Sequence, residues 1–276
     1  MPTSQVFQIH LDEILREKAP RLYRKMPYFL VKWMMKIIHQ EDCNEALRYI
    51  GDKTGVEAML RLVSYFNLSI RVEGLEHIPE NGKFVFVSNH PLGGLDGICL
   101  SAVIGKKYNC QIKYIVNDIL YFIRPLQPVF VPVNKHGSQS RKSADLINEA
   151  FESNNQIVTF PAGLCSRKSN GKKIEDPEWK KMFALKAVEY RRDIVPVYFE
   201  GRNSRFFYWL AFARKKLGIK INLEMFFLPA EMFKQKNASF TIRFGKAIPW
   251  QTFDSSRSLQ QWADWTKSIV YQMEKE

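Results

Sequence analysis

Apolar positions in the first 65 residues recur at helical spacing, whereas the later chain alternates short apolar runs with amphipathic stretches. Pro27 suits the first turn of a helix, where its missing N–H costs nothing. From there Tyr28, Phe29, Leu30, Val31, Trp33, Met34, Met35, Ile37 and Ile38 cover most of the circumference. Lys32, Lys36 and Gln40 fall four apart on one narrow polar stripe. From residue 69 the texture changes. Strands are predicted over 68–72, 84–87, 111–116, 129–133, 156–160, 194–199 and 240–244, with a turn over 74–82. Helix is predicted after the Gly93-Gly94 turn to about Gly105, again over 143–151, and from Asp176-Pro177-Glu178, which has the order of an N-cap, Pro and first-turn acid. Pro196 argues that its strand is an edge or carries a bulge. Strands separated by helices indicate an α/β fold with a largely parallel central sheet flanked by helices. The division is an N-terminal helical, membrane-associating segment over 1–65 and an α/β domain over 66–276.

Composition changes this picture in one respect. The 276 residues are 46% hydrophobic and 25% charged, which excludes wholesale disorder and fibrous classes. But Lys+Arg is 41 against 28 for Asp+Glu, a net charge of +13. Such a chain seeks an anionic partner, unless the charge serves solubility alone. From Arg16 to Lys36 there are seven basic residues and one acid, Glu17. A wide apolar face with Trp33 and flanking lysines suits a helix lying in the interface of an anionic membrane, or one buried with its lysines reaching outward. The second apolar-basic stretch, Arg205 to Phe212 followed by Arg214, Lys215 and Lys216, fits core best, with a lipid-facing surface or an acyl-chain wall as the alternatives. No apolar run is long enough to span a bilayer, and no secretory signal opens the chain. Cys43, Cys99, Cys110 and Cys165 have no metal-ligand spacing, so no metal site is expected.

The chemistry concentrates in two strand-to-turn segments. In the first, the strand ending at Val87 delivers Ser88-Asn89-His90-Pro91 into Leu92-Gly93-Gly94-Leu95-Asp96. Ligands bind at the C-terminal ends of strands in open α/β sheets. Histidine serves as a base near neutral pH, and a carboxylate on its other ring nitrogen fixes the tautomer. Backbone N–H groups of Gly93 and Gly94 are candidate anion or oxyanion donors. Taken alone, this pair reads equally as a helix cap. The second segment runs Phe160-Pro161-Ala162-Gly163-Leu164-Cys165-Ser166-Arg167.

Together the two segments resemble the glycerolipid acyltransferase family, which includes lysophosphatidic acid acyltransferases. Its first motif is NHxxxxD and its third FPEGTRS. Asn117-Asp118-Ile119-Leu120, Val131-Pro132-Val133-Asn134-Lys135 and Ile194-Val195-Pro196-Val197 occupy the places of its other conserved-type stretches. Residues 222–249 resemble a hemolysin-like bacterial branch found near aminolipid synthesis enzymes. The resemblance implies an O-acyltransferase. His90 is its base and Asp96 the orienting acid. Asn89, Gly93, Gly94, Lys135, Phe160, Pro161, Gly163, Ser166 and Arg167 are its substrate contacts. The donor is a fatty acyl thioester of acyl carrier protein or coenzyme A, the acceptor a lysolipid hydroxyl, and no separate cofactor is implied. Three departures stand out. Five residues, not four, separate His90 from Asp96, so the extra one must be absorbed in the Gly93-Gly94 turn. The FPEG acid is Ala162, and the Thr-Arg pair is Leu164-Cys165, which leaves Arg167 as the nearest cation. These departures favour a lyso-aminolipid over a glycerol phosphate as acceptor. A peripheral or monotopic protein on the cytoplasmic side of the membrane is expected, bound to anionic lipids. The rival readings are a catalytically degenerate lipid binder of the same fold, Cys165 as a nucleophile lowered by Arg167, and a nucleic-acid binder. The last lacks any supporting motif.

Overall fold

Adjacent side chains of a strand face opposite ways, and two helical layers use that alternation here. The computed structural model describes residues 7–133, 139–169 and 173–275. Its strands are β1 (Ser69–Glu73), β2 (Phe84–Ser88), β3 (Ile112–Asn117), β4 (Phe130–Val133), β5 (Gln156–Thr159), β6 (Arg167–Ser169), β7 (Lys173–Glu175), β8 (Asp193–Phe199) and β9 (Ser239–Phe244). Seven of them form one sheet in the order β1-β9-β8-β2-β5-β3-β4, with β6 and β7 as a separate antiparallel ribbon. Neighbours in the large sheet are parallel except β8 and β9.

The helices are α1 (Leu11–Lys18), α2 (Pro20–Tyr23), α3 (Tyr28–Ile37), α4 (Gln40–Ile50), α5 (Gly55–Tyr65), α6 (Leu95–Lys107), α7 (Gln139–Glu152), α8 (Met182–Glu189), α9 (Arg205–Lys216), α10 (Leu228–Lys234) and α11 (Leu259–Gln272). Phe84 and Phe86 of β2 join a core with Leu47, Met59, Leu62 and Ile104 from α4, α5 and α6. The intervening Val85 and Val87 join Phe151, Phe183, Ala187 and Val270 from α7, α8 and α11 on the other face. Thus α4 and α5 belong to the layer that covers the sheet. In α3, by contrast, only Val31 is buried, and Tyr28, Phe29 and Trp33 are exposed. His39 takes a left-handed conformation (φ 51°) and ends α3, so Gln40 starts α4. Gln40 therefore leaves the predicted Lys32–Lys36 stripe, and its side chain instead accepts from the Leu11 N–H at 2.8 Å. Among the described residues, no helix is long and apolar enough to cross a membrane.

Two side-chain amides hold β2 in place. Gln156 accepts from the Phe84 N–H and donates to the Gly82 carbonyl, both at 2.8 Å, which fixes the strand's start. Asn89, just past its end, donates to the Phe199 carbonyl at 2.9 Å and accepts from the Phe199 N–H at 2.7 Å. The connection from β2 to β3 passes beyond β5, and that from β5 to β8 passes back beyond β2. The C-terminal ends of β2 and β5 therefore flank a crevice at a topological switch point.

Pro196 corrects the sequence reading in part. β8 lies inside the sheet, not at its edge. The bulge is present. Between the Val197–Phe244 and Ile194–Ile248 pairs, Gly245, Lys246 and Ala247 oppose only Val195 and Pro196. The Pro196 carbonyl still accepts from the Gly245 N–H at 2.9 Å. A residue without an N–H is tolerated in an interior strand because the partner has already left the regular ladder there.

Candidate active site

The sharp turn after β2 brings an acid back onto the histidine. The His90 Nδ1 lies 3.0 Å from Asp96 Oδ2. The same Asp96 oxygen accepts from the Leu92 N–H at 2.9 Å and the Gly93 N–H at 3.2 Å, while Oδ1 accepts from the Gly97 N–H at 2.8 Å. The residue beyond family spacing is taken up by Gly93, whose φ of +82° a side chain rarely adopts. A Cβ there would also meet the Leu228 side chain at 2.9 Å. Asp96 sits in the first turn of α6, where the helix dipole favours a carboxylate.

With Asp96 ionised, Nδ1 carries the proton and donates it, which leaves Nε2 as the basic nitrogen. Burial alone pulls the imidazole pKa down. The charge and hydrogen bond of Asp96, with help from Asp176, outweigh burial and raise it, while Arg167 opposes the rise. Burial pushes the Asp96 carboxyl up. The His90 charge and hydrogen bond, with the Leu92 and Gly97 N–H groups, outweigh it and hold the carboxyl below its ordinary range. Asp96 is fully buried, and the His90 side chain keeps 13% of its surface exposed.

The second segment forms the wall beside this dyad. Phe160, just past β5, stacks its ring on His90 at 4.2 Å and 28°. The Gly163 N–H donates to the Phe160 carbonyl at 3.0 Å, and Gly163 turns the chain at φ +63° with open space where a Cβ would lie. The Pro161 carbonyl accepts from the Lys180 N–H at 3.0 Å. Ala162, in the place of the family acid, is buried among apolar side chains. The Ser166 N–H donates to the His90 carbonyl at 2.7 Å, and the Ser166 hydroxyl donates to Asp176 at 2.6 Å.

Asp176 is the residue that sequence reasoning misplaced. It does not start a helix, and α8 begins at Met182. Its buried carboxylate accepts from the His90 N–H at 3.1 Å, from Ser166 and from the Trp179 indole at 2.9 Å. Its own N–H donates to the Tyr271 hydroxyl at 2.7 Å. Burial raises its pKa despite the Ser166 and Trp179 hydrogen bonds. An Asp-Pro pair looks the same in sequence whether its side chain caps a helix or turns inward. Only the partners, 86 residues away for His90, decide it.

Several predicted contacts take other places. Asn89 has both ends of its amide engaged by Phe199, so it holds the strand behind His90. The Gly93 N–H donates to Asp96 at 3.2 Å and so helps hold that carboxylate beside His90. Gly94 precedes α6, and its carbonyl accepts from the Ile98 N–H at 3.1 Å. Lys135 lies outside the described residues. Arg167 is 16% exposed and largely committed. Its guanidinium donates to the Cys165 carbonyl at 2.7 Å, contacts the Cys165 Sγ at 2.9 Å and pairs with the buried Glu224 at 3.1 Å. Glu224, which the sequence did not single out as a site residue, also receives Arg214 at 2.8 Å. Burial pushes the Cys165 thiol up to about 11 even beside Arg167, which removes it as a thiolate nucleophile at neutral pH.

The chain has counterparts among known proteins. Residues 13–276 match the family model described as acyltransferase. A lyso-glycine lipid O-acyltransferase of Bacteroides thetaiotaomicron is 46% identical over 273 residues, covering 99% of this chain and all of the relative. One of the same name from Phocaeicola vulgatus is 45% identical and covers 99% and 98%. The crystal structure of the 1-acyl-sn-glycerophosphate acyltransferase PlsC from Thermotoga maritima aligns with a TM-score of 0.50 at 15% identity, covering 90% of each chain, a likeness of fold. With the family model matched over residues 13–276 and relatives 45–46% identical over nearly the whole length, this chain belongs to the acyltransferase family.

Proposed function

We propose that this acyltransferase moves a fatty acyl group from a thioester of acyl carrier protein or coenzyme A to the hydroxyl of a lyso-aminolipid of the glycine type. The observation that carries this reading is full-length identity of 46% to a relative named for that reaction. The chemistry follows from the dyad. His90 Nε2 takes the proton of the acceptor hydroxyl as its oxygen attacks the thioester carbonyl. The tetrahedral intermediate collapses, the C–S bond breaks, and the imidazolium returns the proton to the leaving thiolate. Ester and free thiol are the products, and no acyl-enzyme is required. Asp96 stabilises the imidazolium and holds the tautomer. Phe160 keeps the ring plane fixed.

Arg167 and Arg214 share one buried carboxylate, Glu224, and the Arg167 charge reaches His90. Because the acceptor is a lipid, the protein works at a membrane, bound peripherally on the cytoplasmic side. The exposed Tyr28, Phe29 and Trp33 of α3, among basic residues, are suited to that contact.

The test is thiol release from acyl-carrier-protein and coenzyme A thioesters by wild type and His90→Ala. The acceptors are a 3-hydroxyacyl-glycine lipid, lysophosphatidate and another lysophospholipid. The expected result is release that depends on the glycine lipid and falls about 100–10,000-fold in the variant. Equal release by His90→Ala overturns the mechanism, and a preference for lysophosphatidate overturns the acceptor.

A further inference from the structure

Helix α9 has two unlike faces. Phe207, Tyr208 and Ala211 are buried, and Phe207 and Tyr208 pack with Cys165 directly behind the active-site wall. The Arg167 guanidinium lies 4.8 Å over the Phe207 ring. The opposite face exposes Phe206, Trp209 at 61% and Phe212 at 56%. Leu217, just before the turn at Gly218, and Ile221 and Phe226 beyond it are exposed as well. The aromatics are continuous, with Phe206 6.3 Å from Trp209 and 5.3 Å from Phe227. The expectation that this stretch is core therefore holds for one face only.

The exposed charge around this face is basic, the one acid up to Phe226, Glu224, being buried between Arg167 and Arg214. Residues 201–223 hold Arg202, Arg205, Arg214, Lys215, Lys216 and Lys220 and no acid. Contiguous exposed apolar surface marks an interaction site. A basic, aromatic rim selects the partner, because a second copy of a +13 chain is repelled while an anionic bilayer is attracted. Twelve residues are too few to span, so the helix lies in the interface plane.

We propose that the outer face of α9 and the turn running on to Phe226 form a seat for the anionic bilayer surface. Its inner face carries the Cys165–Arg167 wall, so the seat holds the entrance of the active site against the lipid. This deepens the acyltransferase reading, which places the acceptor in the membrane.

The experiment measures sedimentation with phosphatidylcholine vesicles, with and without phosphatidylglycerol. It compares wild type, Trp209→Ser/Phe212→Ser, Lys215→Gln/Lys216→Gln and, as a matched exposed control on α8, Leu185→Ser. Circular dichroism and melting report that each variant is folded. Expected are a drop of about tenfold or more in binding for the aromatic pair, a smaller, salt-sensitive drop confined to anionic vesicles for the lysine pair, and no change for Leu185→Ser. The KM for vesicle-borne acceptor rises in the aromatic variant. Unchanged vesicle binding by the aromatic variant overturns the proposal, as does an effect confined to self-association in solution. Weakened binding by a protein that transfers acyl groups to no acceptor overturns the substrate reading and leaves the seat standing.

Discussion

One ring nitrogen of His90 is committed to Asp96; in the proposed mechanism the other is the base, so protonation of that ring switches the enzyme off. The ring's pKa is raised above the ordinary histidine value, about 6.5. As pH falls through the raised value, kcat/KM is expected to fall with it. Asp96→Asn removes the main raising influence, so the acid limb should move to lower pH while the plateau drops. A pH–rate profile of both proteins checks this, and an unmoved limb removes His90 as the titrating base. The same coupling affects stability. The raised imidazole contributes fully below the ordinary histidine range, and that contribution is lost as pH rises through the raised value. The lowered Asp96 carboxyl contributes above the ordinary aspartate range and ceases to do so as pH falls through its lowered value. Cys165, its thiol buried and raised, should be dispensable to the chemistry. Cys165→Ala is expected to keep kcat within about threefold, and thiol alkylation at neutral pH to leave activity intact. The dyad was legible because six positions and two glycines encode it locally. Asp176 and Glu224 were not, because a buried carboxylate is defined by partners that arrive from distant sequence.

At the scale of elements, strands were legible wherever apolar residues alternate between two covered faces, as in β2 with Phe84 and Phe86 against Val85 and Val87. The apolar-basic stretch of α9 was legible as a patch, but neither its helical form nor its half-exposure was, since aromatic content does not say which face meets the core. Pro196 read correctly as a bulge and incorrectly as an edge, because strand order is a property of the whole sheet. Two turns carry a matched prediction. Gly163→Ala strains only a positive φ, with nothing in its way, and should cost about 1–2 kcal/mol in stability. Gly93→Ala adds a collision with Leu228 in the turn that carries Asp96, so it should cost more and lower kcat as well. Denaturant melts and steady-state rates on both variants test the order. Equal losses mean that Leu228 yields freely.

For the whole molecule, the net charge of +13 was the first indication of an anionic partner, and the fold distributes that charge where sequence could not. Acid-free residues 201–223 become the rim of one surface, and the helical N-terminus splits into α4 and α5, which complete the core, and α3, which faces out. The proposed base, His90, has a global dependence. The His90 peptide is held by Asp176 through its N–H and by Ser166 through its carbonyl, and the neighbouring Asn89 is fastened to Phe199. Every one of these ties joins residues 76 or more positions apart. In kinetic terms, the turn that pairs His90 with Asp96 is local, but it is fixed in place only after loops of 76 or more residues have closed. On refolding from denaturant, far-UV helical signal should therefore return before thiol-release activity does, and the two regained with a single rate constant would show that His90 is set early. A partly unfolded molecule then retains helix and loses its base, so turnover reports the completed sheet more strictly than any measure of secondary structure.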